Sequence, residues 1–246
     1  MISTTVLFVI AAVLFSAFIR GLAGFGFSIA AVPLMSLVVP PVEAVALALL
    51  LQLVVGFYDF ITLRKEADWH SIKRLIVGAI VGTPIGFFAL TALDPNLARI
   101  VIAIAVLLGL VLLLTYKPRA PRPNNTLAVG AGAAAGVFSG LAGMPGPPVV
   151  AYYLGIGMNP KQTRASLMVF FFFVSAIATP GIVLAGELDL KMAVLVAVSV
   201  PSLALGTWLG TRVFAHLDSA QFRKIAIAVM AISGVIGGWR GVMFYL

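Results

Sequence analysis

The chain consists of long apolar runs separated by short clusters of polar and charged residues. Segments such as Ile100 to Thr115 are apolar on every face, whereas a strand of a transmembrane barrel would alternate in polarity, so the pattern favours helices. Several runs are long enough, at about 1.5 Å per residue, to cross a bilayer core of roughly 30 Å. Three such runs complete each half of the chain: Val42 to Leu63, Leu75 to Leu93 and Ile100 to Tyr116 in the first, and Thr163 to Ala185, Met192 to Ala215 and Ile225 to Trp239 in the second.

Each set of three runs is preceded by a pair of runs, the first pair joined by glycines and the second by glycines and prolines. The first pair is Ser3 to Ile19 and Phe27 to Val39, and the second is Leu127 to Ser139 and Val149 to Ile156. The second pair is too short to span a bilayer twice, so it predicts two half-helices that enter and leave from one side. Whether the opening segments span or re-enter stays open.

Composition agrees with a membrane protein and excludes several other classes. Hydrophobic residues make up 62% of the chain, only 10% are charged, and mean hydropathy is +1.15, outside the range of soluble domains. The net charge of +8 is dispersed between apolar runs, which argues against a nucleic-acid partner. The absence of cysteine excludes disulfides and thiolate metal sites. The apolar N-terminus is interpreted as a first membrane segment rather than a signal peptide.

The chain also repeats itself. Gly21 to Gly24 returns as Gly140 to Gly143, and Pro41 returns as Pro160, both 119 residues later. Further matches follow in the same order: Asp68 with Asp189, Gly82-Thr83 and Gly86 with Gly206-Thr207 and Gly210, Leu93-Asp94 with Leu217-Asp218, and Arg99 with Arg223. These matches predict two membrane repeats, residues 1–116 and 126–246, and a polar cytoplasmic linker, residues 117–125.

The basic residues predict the orientation of these repeats. Each repeat crosses the membrane a net odd number of times, so the two must be inverted. Placing Arg64 in the cytoplasm leaves twelve Lys and Arg residues on that side, three outside and Arg20 at a tip. The fold class predicted is therefore an all-α polytopic protein of two inverted repeats, each an interrupted helix pair plus three transmembrane helices. Both termini are expected on the periplasmic or outer side of the cell inner membrane.

The two glycine-bearing interruptions, Arg20 to Ser28 and Ser139 to Pro148, are the candidate binding site for a small anion. Glycines let the backbone approach a ligand, and helix N-termini present free N–H groups and a positive dipole end. The candidate substrate-binding residues are Arg20, Gly21, Gly24, Gly26, Ser28, Gln52, Ser139, Gly140, Gly143, Met144, Gly146 and Ser166. The alternatives are that the small residues serve only helix packing, that Arg20 snorkels to the interface, and that Gln52 makes only an interhelical hydrogen bond.

Other polar residues are assigned structural roles. Glu43 follows two prolines and is expected to cap a helix rather than couple protons, and Asp59 is expected to pair with Arg64, one turn away. His70 and His216 fall in predicted loops. No catalytic constellation, metal site or cofactor site is predicted, so the chain is not expected to be an enzyme.

The order of these motifs resembles the TauE/SafE, or sulfite exporter, family of membrane transporters. The residues that carry the resemblance are Gly21 to Ser28, Val32-Pro33, Pro40 to Ala44, Asp68-Trp69, Gly140 to Gly143, Asn159-Pro160 and Arg164 to Ser166. The resemblance implies transport of small sulfur-containing anions such as sulfite or sulfoacetate. The chain departs from the family pattern at Met144 to Pro148, where further glycines are expected.

The leading hypothesis is therefore an exporter of such anions that works by alternating access, with the two repeats rocking around the paired interruptions. The alternatives are a transporter or channel for another small anion such as a carboxylate, and a membrane assembly subunit that transports nothing. Coupling to H⁺ or Na⁺ and a monomeric or homodimeric state are left open.

Overall fold

A computed structural model describes residues 4–115 and 124–214, and these residues are all-helical or lie in turns. The helices are α1 (Thr4–Ala23), α2 (Phe27–Met35), α3 (Pro41–Leu63), α4 (Trp69–Thr91), α5 (Pro95–Thr115), α6 (Asn125–Ala142), α7 (Gly146–Gly155), α8 (Pro160–Leu184) and α9 (Leu190–Phe214). Most of the predicted linker, His216 and the last apolar run, Ile225 to Trp239, lie outside the described residues.

Local sequence signals explain where these helices begin. Proline is the first residue of α3, α5 and α8, a position where its missing N–H removes no helical hydrogen bond. Side chains of Asp68, Asn124 and Asn159 accept hydrogen bonds from backbone N–H groups in the first turns of α4, α6 and α8. Asp94 and Asp189 do the same at the starts of α5 and α9.

Six of the helices in the described ranges are long and apolar enough to cross a membrane: α1, α3, α4, α6, α8 and α9. Their outward faces carry large apolar side chains, for example Phe88, which is 76% exposed, and this is the arrangement expected of a surface in lipid. Five of the six long predicted runs are thus confirmed as helices over their described residues, and the sixth, Ile225 to Trp239, is not tested. The opening helix of the second half is longer than its predicted run, with 18 residues, so only its partner α7 is as short as expected.

The two shortest helices are among the most buried. In α2, with 9 residues, all but Leu34 are buried, and in α7, with 10 residues, all but Leu154. At about 1.5 Å per residue they are only about 14 to 15 Å long. α2 packs against α1 and α3, while α7 packs against α6 and α8. The short helices therefore form the centre of the bundle, and the longer helices separate them from the surroundings.

The most extensive contacts join helices from different halves of the chain. α1 packs along α9, α6 packs along α4, and α3 packs against α8. Glycines make the first two contacts possible, because a side chain at Gly21 would collide with the carbonyl oxygen of Thr207. A side chain at Gly140 would collide in the same way with the carbonyl oxygen of Thr83. The backbones therefore touch at both crossings.

Candidate functional site

The two interruptions meet inside the bundle. The first tip, residues 24–26, connects α1 to α2, and the second tip, residues 143–145, connects α6 to α7. Gly24, Gly26 and Gly143 have φ values of 76°, 92° and 68°, which only glycine adopts without strain. Gly143 faces the side chain of Ser28, and Gly146 faces the ring of Phe25. Each tip therefore packs directly against residues at the other.

A small cavity of about 20 Å³ lies at this meeting point. It is lined by Gly26, Ser28, Gln52, Gly143, Met144 and Gly146, among others. α2 begins immediately after Gly26, and α7 begins at Gly146 behind Pro145, so both helices start at the cavity. Backbone N–H groups in the first turn of a helix have no carbonyl partner within that helix, and the positive dipole end favours a negative charge. The start of α2 offers such groups, whereas Pro147 and Pro148 in the first turn of α7 carry no N–H and leave mainly the helix dipole there. The cavity has the electrostatic character of an anion site.

Arg20 is fully buried and contacts the cavity-lining residue Gln52. Its guanidinium places a full positive charge beside the helix N-termini, which carry only partial charges. Its Nη2 forms an ion pair with Asp59 Oδ2, and its Nε donates to Gln52 Oε1 at 3.4 Å. Asp59 and Gln52 are only 5% and 4% exposed. Within the described residues, Arg20 Nη1 and Gln52 Nε2 are buried donors that no protein atom accepts. Buried donors without acceptors are costly, so these two atoms mark a place where a ligand oxygen would be stabilised.

A groove of about 510 Å³ leads to Asp59 from the outer surface of the bundle, and we refer to it as the first groove. Its lining includes Asp59 and Thr62 of α3, Arg164 of α8, and Thr207 and Thr211 of α9. Arg164 Nη2 donates to the carbonyl oxygen of Gly21 and to Thr211 Oγ1, both at 3.1 Å. The aliphatic stem of Arg164 also packs on Gly24. A second arginine is therefore anchored against the first tip.

A second groove, of about 420 Å³, lies at the other end of α8. Its lining includes Thr83 and Phe87 of α4 and Ala178 and Gly181 of α8. Under the 119-residue spacing, Ala178 corresponds to Asp59. The same spacing pairs Ser139 with Arg20 and Val45 with Arg164. The two grooves thus include positions related by this spacing, and among the described residues only the lining of the first groove carries charged side chains.

The remaining predicted site residues are distributed between the tips and other contacts. Gly21 and Gly140 lie at the two helix crossings described above. Ser139 is buried, and its Oγ has no acceptor or donor among the described residues. Ser166 lies apart from the tips, where its Oγ accepts a hydrogen bond of 2.8 Å from the backbone N–H of Asp68. Six of the twelve predicted residues line the cavity, and a seventh, Arg20, contacts the lining residue Gln52. Gly24 lies in the first tip, next to these residues.

Two functional candidates were missed at the sequence level. Asp59 was expected to pair with Arg64, but its carboxylate pairs with Arg20 instead. Arg164 was counted among the cytoplasmic charges, yet it is half-buried and contacts the first tip. An acid within an apolar helix was the available signal for Asp59, since such residues rarely occur at membrane depth without a function.

Glu43 also differs from its assignment. It lies in the first turn of α3, where an acid interacts favourably with the helix dipole, but no side chain caps this helix through a hydrogen bond. Its Oε2 accepts a hydrogen bond of 3.0 Å from Lys191 Nζ of α9. Instead of capping α3 through a hydrogen bond, Glu43 forms a surface ion pair that joins α3 to α9. Such exposed pairs contribute little to stability.

Comparisons with known proteins agree with this architecture. Residues 9–236 match the family described as Sulfite exporter TauE/SafE. A protein from Cupriavidus necator, named as a probable sulfite/organosulfonate exporter TauE, is 27% identical over 173 residues. That match covers 68% of this chain and 66% of the relative, just under two thirds of its length. No solved structure matches the chain.

Proposed function

Because this chain belongs to the TauE/SafE sulfite exporter family of membrane transporters, which are not enzymes, we propose that it carries a small sulfur-containing anion such as sulfite or an organosulfonate. The single observation that supports this cargo most directly is the buried Arg20, whose Nη1 atom has no acceptor among the described residues. Export is the direction that the family description and the name of the Cupriavidus necator relative suggest.

The donors around the tips fit the chemistry of such an anion. A sulfite or sulfonate group has three oxygens that accept hydrogen bonds, and a guanidinium binds such oxyanions strongly because the hydrogen bonds are charge-assisted. Gln52 lines the tip cavity and carries the unpaired donor Nε2, and the backbone N–H groups at the start of α2 lie at the same cavity. Arg20, which contacts Gln52, adds the unpaired donor Nη1 beside them. The cavity itself is smaller than the anion, so binding requires the tips to separate.

We propose that the halves are inverted repeats and that transport proceeds by alternating access. Three observations support this proposal. The opening helix of each half, α1 or α6, packs along a helix of the other half, α9 or α4, and the two grooves lie at opposite ends of α8. The third observation is the distribution of basic residues. In this arrangement the tips lie near the membrane midplane and each groove serves one side of the membrane. The first groove, which reaches Arg64's end of α3, would open to the cytoplasm.

A specific observation favours a second candidate cargo, a small carboxylate. Arg20 already holds a carboxylate, that of Asp59, so its guanidinium accommodates planar two-oxygen anions as well as sulfur oxyanions. A carboxylate transporter and a sulfite transporter would share the same residues. Flux measurements with sulfite, methanesulfonate and acetate, each offered separately, distinguish the two, because each of these anions carries only one kind of acidic group.

The test is anion flux in proteoliposomes that contain the purified protein. We expect sulfite or sulfoacetate to cross at rates well above protein-free vesicles. Arg20→Gln should reduce flux by roughly ten- to a hundredfold, the range of one charge-assisted hydrogen bond. Lys191→Gln, which removes an exposed cation from the α3–α9 ion pair, is the matched control and should transport normally. Absence of flux with every sulfur anion, or unchanged kinetics in Arg20→Gln, would contradict the proposal.

A further inference from the structure

We propose that the Asp59 carboxylate occupies the Arg20 guanidinium until the transported anion displaces it. The displaced carboxylate then turns into the first groove toward Arg164. This inference rests on the proposed function and adds a residue that sets the affinity of the same site. Asp59 is suited to this role by its position, because it pairs with Arg20 and also lines the groove.

The burial of the two partners gives the order of events. Arg20 is 0% exposed and does not line the first groove, whereas Asp59 is 5% exposed and does. An anion that enters through the groove therefore meets Asp59 before it reaches the guanidinium. A carboxylate and a sulfur oxyanion both bind a guanidinium through two oxygens, so they compete for the same donors.

Electrostatics favours displacement over simultaneous binding. An anion added beside an intact Arg20–Asp59 pair would bury a second negative charge next to the first, and like charges at low dielectric repel strongly. The displaced carboxylate needs another partner, because an uncompensated buried charge is strongly unfavourable. Arg164 lines the same groove and supplies positive charge there. Two guanidinium groups then face two anionic groups, so the loaded site is neutral.

The positions related to these three residues by the 119-residue spacing carry no charged side chains. Ser139, Ala178 and Val45 stand at the positions that correspond to Arg20, Asp59 and Arg164. If Arg20, Asp59 and Arg164 served only to pack helices, the helices around the second groove, which lack these charges, should pack less closely. They do not, because glycines bring α4 and α6 as close together as α1 and α9. The trio is therefore additional to the architecture that the two halves share, and this favours a role in binding.

The discriminating variant is Asp59→Asn, which keeps the shape of the side chain and removes its charge. Without a competing carboxylate, the anion should bind Arg20 more tightly, and the KM for flux should fall by about tenfold, the order of one charge-assisted hydrogen bond. Glu187→Gln is the matched control, because it removes a negative charge from the turn between α8 and α9, at the far end of α8 from Arg164, and should leave KM unchanged.

A double-mutant cycle tests where the displaced carboxylate goes. Arg164→Gln should raise KM in the wild-type background, since Asp59 then loses its alternative partner. In the Asp59→Asn background the same substitution should have a much smaller effect, and the difference between the two measures the coupling of the residues. Equal effects in both backgrounds would overturn the proposed movement of Asp59.

Thermal unfolding in detergent, with and without sulfite, covers the case in which Asp59→Asn folds poorly. Leaving Arg20 without its carboxylate should lower the melting temperature of the anion-free variant, and sulfite should restore it by more than it stabilises the wild type. An unchanged or higher KM for Asp59→Asn, or an equal or smaller stabilisation by sulfite, would overturn the inference. Wild-type protein that neither binds nor transports any anion would instead overturn the proposed function.

Discussion

At the scale of single residues, the ion pair of Arg20 and Asp59 has the strongest energetic consequences. Removing one member of a buried pair leaves an uncompensated charge and typically costs about 3–5 kcal/mol, whereas an exposed pair such as Glu43 and Lys191 contributes about 1 kcal/mol or less. Both pairs connect different helices, yet only the buried pair constrains the protein strongly. Substitutions at the two sites should therefore differ in severity even though each removes one charge.

Glu187, in the turn between α8 and α9, gives a pH-dependent prediction. Partial burial raises the pKa of its carboxyl above 4.5, and the negative charges of Glu43 and Asp189 act in the same direction. A raised pKa in the folded state means that stability is lost as pH increases from the unfolded value through the folded one. Glu187→Gln should therefore stabilise the protein at pH 7, and the gain should disappear below about pH 4.5.

Melting temperatures of the wild type and Glu187→Gln, measured between pH 4 and pH 8 in one detergent, check this prediction. The two curves should converge at the acidic end and separate toward neutral pH. A variant that is less stable than the wild type at pH 7 would show that the carboxylate makes a favourable contact that outweighs its burial.

Individual residues also show why sequence alone located the site only in part. Asp59 was assigned to Arg64 because the two are five positions apart, but its partner Arg20 is 39 positions away on a different helix, and only the folded bundle brings the two side chains together. Distance along a sequence is a poor guide to pairing inside a bundle. Gln52 was located by its depth in a helix, which depends on length alone and could therefore be predicted.

At the scale of elements, the glycines perform two different tasks that their sequence motif does not separate. Gly21 and Gly140 lie within helices and permit close crossings, whereas Gly24 and Gly143 follow the helices and have left-handed backbones. The motif places both tasks within four residues, so the sequence left the choice between packing and binding open. The apolar runs, in contrast, predicted the long helices well, because run length and hydropathy determine which segments can span a bilayer.

The crossing of α4 and α6 makes a quantitative prediction. Gly140→Ala would force a methyl group into the carbonyl oxygen of Thr83, and relieving that overlap should destabilise the protein by at least about 1–3 kcal/mol. Gly130→Ala is the matched control on the same helix, because nothing lies within 4 Å of the position where its methyl group would be. The control should be neutral or slightly stabilising, since alanine favours a helix over glycine by up to about 1 kcal/mol.

Thermal unfolding of both variants under identical conditions provides the measurement. A clear difference between Gly140→Ala and Gly130→Ala supports a backbone-to-backbone crossing. Similar melting temperatures for the two variants would show that α4 and α6 can separate at little cost.

At the scale of the whole molecule, the distribution of basic residues predicts the orientation in the membrane, and this prediction can be tested directly. The chain contains no cysteine, so single cysteines can be introduced without removing native ones. Lys65→Cys in the α3–α4 turn and Leu188→Cys in the α8–α9 turn are both at exposed positions. We expect a membrane-impermeant thiol reagent applied to whole cells to label Leu188→Cys, while Lys65→Cys reacts only after the membrane is opened.

The same experiment addresses the inverted arrangement. α3 ends at the first of these turns and α8, its counterpart in the second half, ends at the other. Labelling from opposite sides means that these corresponding helices run in opposite directions. Labelling of both turns from one side would exclude the inversion.

The glycine crossings have a consequence for how such a protein can move. They join α1 to α9 and α4 to α6, so each close crossing unites one helix of the first half with one helix of the second. A rigid-body displacement of one half past the other would separate both pairs of helices. The bodies that move during a transport cycle are therefore expected to combine helices from both halves, and the boundary between the two proposed repeats need not coincide with the hinge.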